Sequence, residues 1–353
     1  MNTSKKRIMI IAHANRHSGG QSAGTNLLKN FRAYADEFDF LAVLPARCGY
    51  EDIVSGHSIH VVWFSQDGNL FKRFFFDCIG LRRIAAHFKP DIILCMGHVG
   101  YPWLGGRQFI RFADPNFVYS KRFHGKLTLW QRMRYVILFH QLRWSLRTAR
   151  IVYCQTETMS DRLRQYFEVN AQIKVLPNCL PIDSTCCGDG DAVPAAIQER
   201  EGKFRLFCLA RYYPHKNLER IVDVFSKYRQ ELMDVVVYLT IDADQHRGAK
   251  RLLRRIKTEG LDQMVVNVGP ISQRDIGSYF RNCHGLLFPT LLESFSASYL
   301  EAMYFGLPII TSDVDFARDV CGDAAIYCKP IWRKGAGSGS GVFIALRGRR
   351  MLQ

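Results

Sequence analysis

The chain has no run of 18 apolar residues, which excludes an ordinary membrane-spanning helix. Its opening, MNTSKKRIMIIAHA, lacks the apolar core of a secretory leader and passes directly into a strand pattern. No C-x2-C pair occurs among its 11 cysteines. Cys78, Cys95, Cys154 and Cys208 lie in apolar runs, so a reduced cytosolic protein with buried thiols is expected. Cys179, Cys186 and Cys187 lie close together but without histidines at zinc spacing, so no metal centre is expected there. The first strand is not followed by the full G-x-G-x-x-G spacing, which argues against a nicotinamide site. Acids are outnumbered by bases, 32 to 48, for a net charge of +16. That excess suits an anionic ligand, an anionic membrane face or nucleic acid.

What is present is enough apolar residue, 48% of 353, for two domains with real cores. Residues 7–12 read as a first strand. Residues 15–24, NRHSGGQSAG, read as a glycine-bearing loop, followed by a helix over about 25–38. Strands are expected at 40–44, 60–64 and 91–96, with a helix over 70–88. A further strand at 151–155, a helix over 158–167 capped by Thr156 or Thr158, and a strand at 173–176 complete the first half. Residues 179–203 carry proline, glycine and aspartate without periodicity and read as a linker. The alternation then restarts. Strands are expected at 204–210, 235–241 and 265–268, with helices over 218–232, over 249–259 and, capped by Ser272, to about 283. Such alternation implies parallel sheets covered by helices: an α/β chain with two Rossmann-like domains, residues 1–178 and 204–330, facing across a cleft.

Residues 115–156 hold no acid and carry Lys121, Arg122, Lys126, Arg132, Arg134, Arg143, Arg147 and Arg150 among aromatic and aliphatic residues. They read either as an amphipathic basic helix at a membrane surface or as a helix with a solvated basic face. No nucleic-acid motif accompanies them, so nucleic acid is not an expected partner.

One stretch organises the second half: residues 288–320, FPTLLESFSASYLEAMYFGLPIITSDVDFARDV. A strand at 285–288 leads into it. Ser294 or Ser296 could cap a helix that runs to about 305, stopped by Gly306 and Pro308, before a strand at 309–312. Glu293 and Glu301 would then share one helix face, about 12 Å apart along the axis. That is too far for one proton-transfer pair but suits gripping two parts of one long ligand, with the helix mouth attracting an anion. Upstream, Arg211 and Lys216 directly follow a strand of the same expected sheet, where two cations suit a diphosphate. Asp242 and Asp244 end a strand as metal-binding D-x-D pairs do. With a basic clamp already available for phosphates, no metal is expected there.

These segments resemble the retaining family 4 glycosyltransferases of the GT-B fold. The resemblance is carried by LARYYPHKNLERIVDVF (209–225), LFPTLLESFSASYLEAMYFGLPIITSD (287–313) and ARDVCGDAAIYCKP (317–330), and more weakly by Gly19-Gly20 and VLPN (175–178). It implies a UDP- or GDP-linked sugar as co-substrate, with no other cofactor and no metal. Arg211 and Lys216 would be the donor diphosphate clamp. Glu293 would lie near the hydroxyls of the transferred sugar, and Glu301 would hold the ribose. The backbone at Ser294, Phe295, Ser296 and Ala297 would face the phosphates, and Gly19 and Gly20 would let the first domain approach the donor. His124 is the candidate histidine near the reacting centre, and His98 a candidate on the acceptor side.

Ala210 and Cys179 stand where the family usually has glycine. After Pro330 the chain reads IWRKGAGSGSGVFIALRGRRMLQ, a low-complexity tail instead of the expected closing helices. A truncated or altered C-terminus with impaired domain closure is therefore expected. The main expectation is a hexosyltransferase-type enzyme of surface polysaccharide or lipopolysaccharide synthesis. It would be cytoplasmic and peripheral to the inner membrane, and would act on a glycan or lipid-linked acceptor. The alternatives are a nucleotide-sugar-binding protein with impaired catalysis and a GT-B sugar-nucleotide epimerase.

Overall fold

The computed structural model describes residues 5–16, 18–55, 59–65, 70–119, 129–179, 193–272 and 274–330. The tail 331–353 and His124 lie outside them. The chain forms two compact units, Met1–Val118 with Lys126–Asn178 and Tyr119–Gly125 with Cys179–Gln353.

The first unit is built on β1 (Lys6–Ile11), β2 (Phe38–Pro45), β3 (Ile59–Phe64), β4 (Ile92–Cys95), β5 (Arg107–Phe112), β6 (Ile151–Cys154) and β7 (Gln172–Val175). They form one sheet in the order β3-β2-β1-β4-β5-β6-β7, and every pairing is parallel. The second unit uses β8 (Phe204–Cys208), β9 (Val235–Leu239), β10 (Val265–Asn267), β11 (Gly285–Phe288), β12 (Ile309–Ser312) and β13 (Ala325–Cys328). Their order is β10-β9-β8-β11-β12-β13, again all parallel. A parallel sheet is covered on both faces, so its central strands are apolar throughout rather than alternating. β9, VVVYL, and β11, GLLF, are buried at every position. Each such aliphatic side chain contributes about 1.5–3 kcal/mol.

In both sheets the chain order reverses beside the unit's first strand, between β1 and β4 and between β8 and β11. The loops leaving these strands diverge there and open a crevice at the carboxyl edge, where α/β sheets take ligands.

The expected glycine loop is shorter than its composition suggests. The helix begins at Ser18, so Gly19 and Gly20 lie in its first turn, and it ends at Phe31. Glycine disfavours a helix by about 1 kcal/mol, which moved the expected start to residue 25. Tertiary packing reverses that preference. A Cβ on Gly24 would lie 2.6 Å from the Tyr50 hydroxyl. That buried hydroxyl donates to the Asn15 carbonyl at 3.0 Å and fixes the turn after β1.

The expected helix over 70–88 is present in three parts, Leu70–Phe75, a π-turn at Phe76–Gly80, and Leu81–Phe88. The π-turn carries Asp77, whose carboxylate meets Nε2 of buried His13 at 2.7 Å. Strand β5 had no expectation attached, because its sequence RQFIRF places charges in a strand. Gln108 is buried within it, donating to the Tyr101 and Gly105 carbonyls and accepting from the Tyr101 amide.

Within the basic segment, where Lys121, Arg122 and Lys126 lie outside the described residues, Leu129–Thr148 form a helix. Its C-terminal half packs through Leu142, Ser145 and Leu146, but among the described residues from 129 to 141 none is buried. Apolar Met133, Val136, Ile137 and Trp144 stand exposed beside its arginines, so polar and apolar residues are not sorted to opposite faces.

Candidate active site

The second unit's site rests on the loops leaving β8 and β11, which are neighbours in the sheet. These loops are stitched together. The Leu291 amide donates to the His215 carbonyl at 2.7 Å. The Asn217 side chain donates to the Pro289 carbonyl at 3.3 Å, and the Ser298 hydroxyl donates to the Leu209 carbonyl at 3.3 Å. Pro214 opens a 3-10 turn that ends at Lys216, and Asn217 then takes a left-handed φ of 56°. Asparagine tolerates that region better than most residues, so Pro-His-Lys-Asn is a turn whose own chemistry presents the lysine.

That turn places Lys216 against Glu293. Their ammonium and carboxylate Oε1 form an ion pair in which both side chains are largely shielded from solvent. The same carboxylate oxygen accepts from the Thr290 hydroxyl at 3.0 Å. The ammonium also sits 4.6 Å from the centroid of the Phe288 ring. Lysine is thereby held by an acid on one side and a ring face on the other, a geometry that fixes the cation before any ligand arrives. Arg211, five residues earlier, is exposed and forms no ion pair among the described residues.

Glu301 is placed differently. The helix begins at Ala297 and ends at Tyr304, so Glu293 precedes it rather than lying on it. The expected 12 Å rise between the glutamates therefore does not apply, and they have separate environments. Glu301 is 9% exposed, and its Oε2 is buried with no hydrogen-bond partner. Burial pushes its carboxyl from 4.5 up to about 7. A buried acceptor left empty costs about 1–3 kcal/mol, more when charged, and points to a donor that the described residues do not supply. Ser296 occupies the N-cap position, yet its hydroxyl makes no capping bond. Ser294 and Ser296 are both buried, Phe295 is partly so, and Ala297 is exposed. The expected cap by Ser272 is likewise not made. Its hydroxyl donates to the Asp275 carboxylate at 2.7 Å, one residue before the helix Ile276–Asn282.

Asp242 and Asp244 are engaged locally. Asp242 accepts from the Asp244 amide at 2.8 Å, and Asp244 pairs with Lys250 at 2.7 Å on the surface.

In the first unit the turn after β1 and the loop after β4 meet where the Asn15 side chain donates to the Met96 carbonyl at 3.2 Å. His98 follows in a left-handed conformation, φ 74°, with Nδ1 buried and unpartnered. Burial pulls its imidazole below the ordinary value, opposed by Asp114 and reinforced by Arg111. Arg111, at the end of β5, was not anticipated, because a strand arginine reads as a surface charge until its surroundings are known. Gly19 is exposed, and a Cβ there would meet nothing within 4 Å.

Residues 191–330 match the family described as Glycosyl transferases group 1, and residues 19–184 match Glycosyltransferase Family 4. The serotype-specific mannosyltransferase WbdA of Escherichia coli is 25% identical over 245 residues, 68% of this chain and 27% of that protein. The chain thus spans about a quarter of that relative's length. Among solved structures, Anabaena Alr3699/HepE in complex with UDP-glucose superposes with a TM-score of 0.71 at 15% identity, covering 98% of this chain and 89% of that one. WaaG, a glycosyltransferase involved in lipopolysaccharide biosynthesis, superposes with a TM-score of 0.70 at 12% identity, covering 97% and 90%.

Proposed function

This chain belongs to the family 4 glycosyltransferases of the GT-B fold, and from that premise we propose that it moves a sugar from a nucleoside-diphosphate sugar to a glycan or lipid-linked acceptor, with retention, in the synthesis of a surface polysaccharide. The observation that carries this reading is the presence of a pre-held cation, Lys216, and an acid whose Oε2 has no donor among the described residues, Glu301, on segments that leave adjacent strands at the reversal of one sheet. A nucleotide sugar has the matching parts. Its diphosphate takes Lys216 and Arg211, its ribose hydroxyls donate to Glu301, and the hydroxyls of its sugar meet Glu293. In the reaction the bond from the anomeric carbon to the phosphate oxygen breaks and negative charge grows on the diphosphate. The acceptor oxygen bonds to that carbon on the same face, and its proton passes to a phosphate oxygen of the departing nucleotide. The fixed cation stabilises the growing charge without having to reorganise, and one such donor is worth about 3 kcal/mol.

A thermal-shift screen with UDP- and GDP-linked sugars tests the donor. At 100 times its Kd a ligand adds about 2.7 kcal/mol, a rise of a few degrees. If no nucleotide sugar raises the melting temperature, the reading fails. If one does, turnover with acceptor separates transfer from binding alone. Persistence of transfer in a chelator would support charge neutralisation by Arg211 and Lys216.

The reading extends to an anionic membrane. Phe71, Phe74, Phe75 and Ile79 are exposed on one helix of the first unit, as are Met133, Val136, Ile137 and Trp144 on another. Trp103 links the two helices, donating to the Asp77 carbonyl at 3.0 Å with its ring 6.1 Å from that of Trp144. Exposed Lys72, Arg82, Arg83, Arg132 and Arg143 accompany them, a mixture suited to anionic headgroups over acyl chains. Vesicles rich in phosphatidylglycerol should carry the protein in flotation, and replacing Phe71, Phe74 and Phe75 together by serine should release it. Equal flotation of both forms would refute this docking face.

A further inference from the structure

The first unit holds a cation without a counter-ion at the same kind of sheet edge. Arg111 is the fifth residue of β5, and its guanidinium donates to Asn178 Oδ1 at 3.3 Å, just past β7. No carboxylate pairs with it among the described residues. Asp114, three residues on, is engaged elsewhere: its Oδ1 accepts from the Asn116 amide at 3.0 Å and from the Asn116 side chain at 2.7 Å. Burial lowers the Arg111 guanidinium to about 10, so it stays charged at neutral pH. It nevertheless keeps accessible surface, as does His98.

His98 faces Arg111 and Asp114 electrostatically and has one ring nitrogen buried without a partner. Its left-handed backbone carries a cost that asparagine or glycine would avoid. Such an outlier persists where the surroundings or a ligand require that side chain. Together they present a forked planar donor and a neutral imidazole beside one carboxylate, Asp114, whose Oδ1 is taken by Asn116. An oxyanion with two oxygens in one plane fits a guanidinium fork.

We propose that Arg111 and His98, with Asn178 holding the guanidinium, form a subsite for an anionic group on the acceptor, a phosphate or a carboxylate. The word acceptor rests on the glycosyl-transfer reading, but the anion subsite does not, and the experiment separates the two.

The probes are methyl phosphate and glucuronate, titrated separately into the full chain while the ring nitrogens of His98 are followed by NMR. The signal is assigned by its loss in His98→Asn. A saturable shift at millimolar probe, absent with matched sodium chloride, is expected for at least one probe, and which probe gives it tells phosphate from carboxylate. Arg111→Gln should weaken that binding at least tenfold, and Arg111→Lys should restore part of it. Lys216→Ala should leave it intact, since that residue belongs to the donor site. An unmoved His98 signal, or an equal Kd in Arg111→Gln with an unchanged backbone spectrum, would overturn the proposal. Should Arg111→Gln fail to fold, equal binding in Arg111→Lys and wild type at high salt and low salt alike would do so. In turnover assays with a charged acceptor, Arg111→Gln should raise the KM for acceptor at least tenfold and leave the KM for donor unchanged. If transfer is never found but probe binding still depends on Arg111, only the functional reading fails.

Discussion

In the second unit the segments that leave the carboxyl edge of the sheet carry an acid with an empty oxygen, Glu301, and a cation already paired, Lys216. In the first unit the corresponding edge presents a cation that pairs with no carboxylate among the described residues, Arg111, and an imidazole with an empty nitrogen, His98. The strand order is shared and the unanswered group has opposite sign. An orphan acid calls for hydroxyl donors, as a ribose offers, whereas an orphan cation calls for an oxyanion. One topology supplies the position of a site, and on the proposed assignments the unanswered group at that position selects its ligand.

The sharpest way to break this contrast is at Lys216. Lys216→Ala leaves Glu293 without its cation and removes the pre-held charge. We expect kcat to fall about 100- to 1000-fold, the scale of one lost preorganised donor. A loss of less than threefold in steady-state assays would mean that the pair is structural.

Glu301→Gln has a smaller effect on rate and a clear signature in stability. The folded carboxyl titrates near 7 instead of 4.5, so the folded state binds a proton more tightly than the unfolded chain does. Stability is then greatest below about pH 4.5 and falls as pH rises towards 7, by about 3 kcal/mol for a rise of 2.5 in pKa at about 1.4 kcal/mol each. The variant should melt above wild type at pH 8, match it near pH 5, and bind donor more weakly. In the wild type, donor affinity should grow as pH rises through 7, because the ionised form is the better acceptor for ribose hydroxyls. Melting curves that stay parallel across this range would show that Glu301 is not the source.

The smallest effect is expected at the second unit's solvated acid. Asp244 lies at the surface and is paired with Lys250. Asp244→Ala should leave both melting temperature and turnover within error, since exposed pairs contribute little. A turnover that collapses, and is restored by added divalent cation, would instead place a metal at Asp242 and Asp244.

Much of this was legible in order along the chain. The strands at 285–288 and 309–312 stand at the residues their apolar runs indicate, and Gly306, at φ 65°, stops the helix between them. The spacing of Arg211, Lys216, Glu293 and Glu301 was legible as well. Other features were hidden because the signal was not local. Gly19 and Gly20 suggest a loop by propensity, yet packing around Gly24 and Tyr50 accompanies a helix there. The RQFIRF strand conceals its buried face behind two arginines.

The sequence by itself determined the alternation of strand and helix, the two sheets and the residue types of the candidate site. Periodicity and turn chemistry act within a few residues, and the chain carries both in plain form. Only the tertiary structure decided which charges are answered. Among the described residues, Lys216 finds Glu293 across 77 positions, Arg111 finds an amide but no acid across 67, and Glu301 Oε2 finds no donor. Those outcomes depend on burial and on partners brought in by the sheet order, which no local pattern encodes.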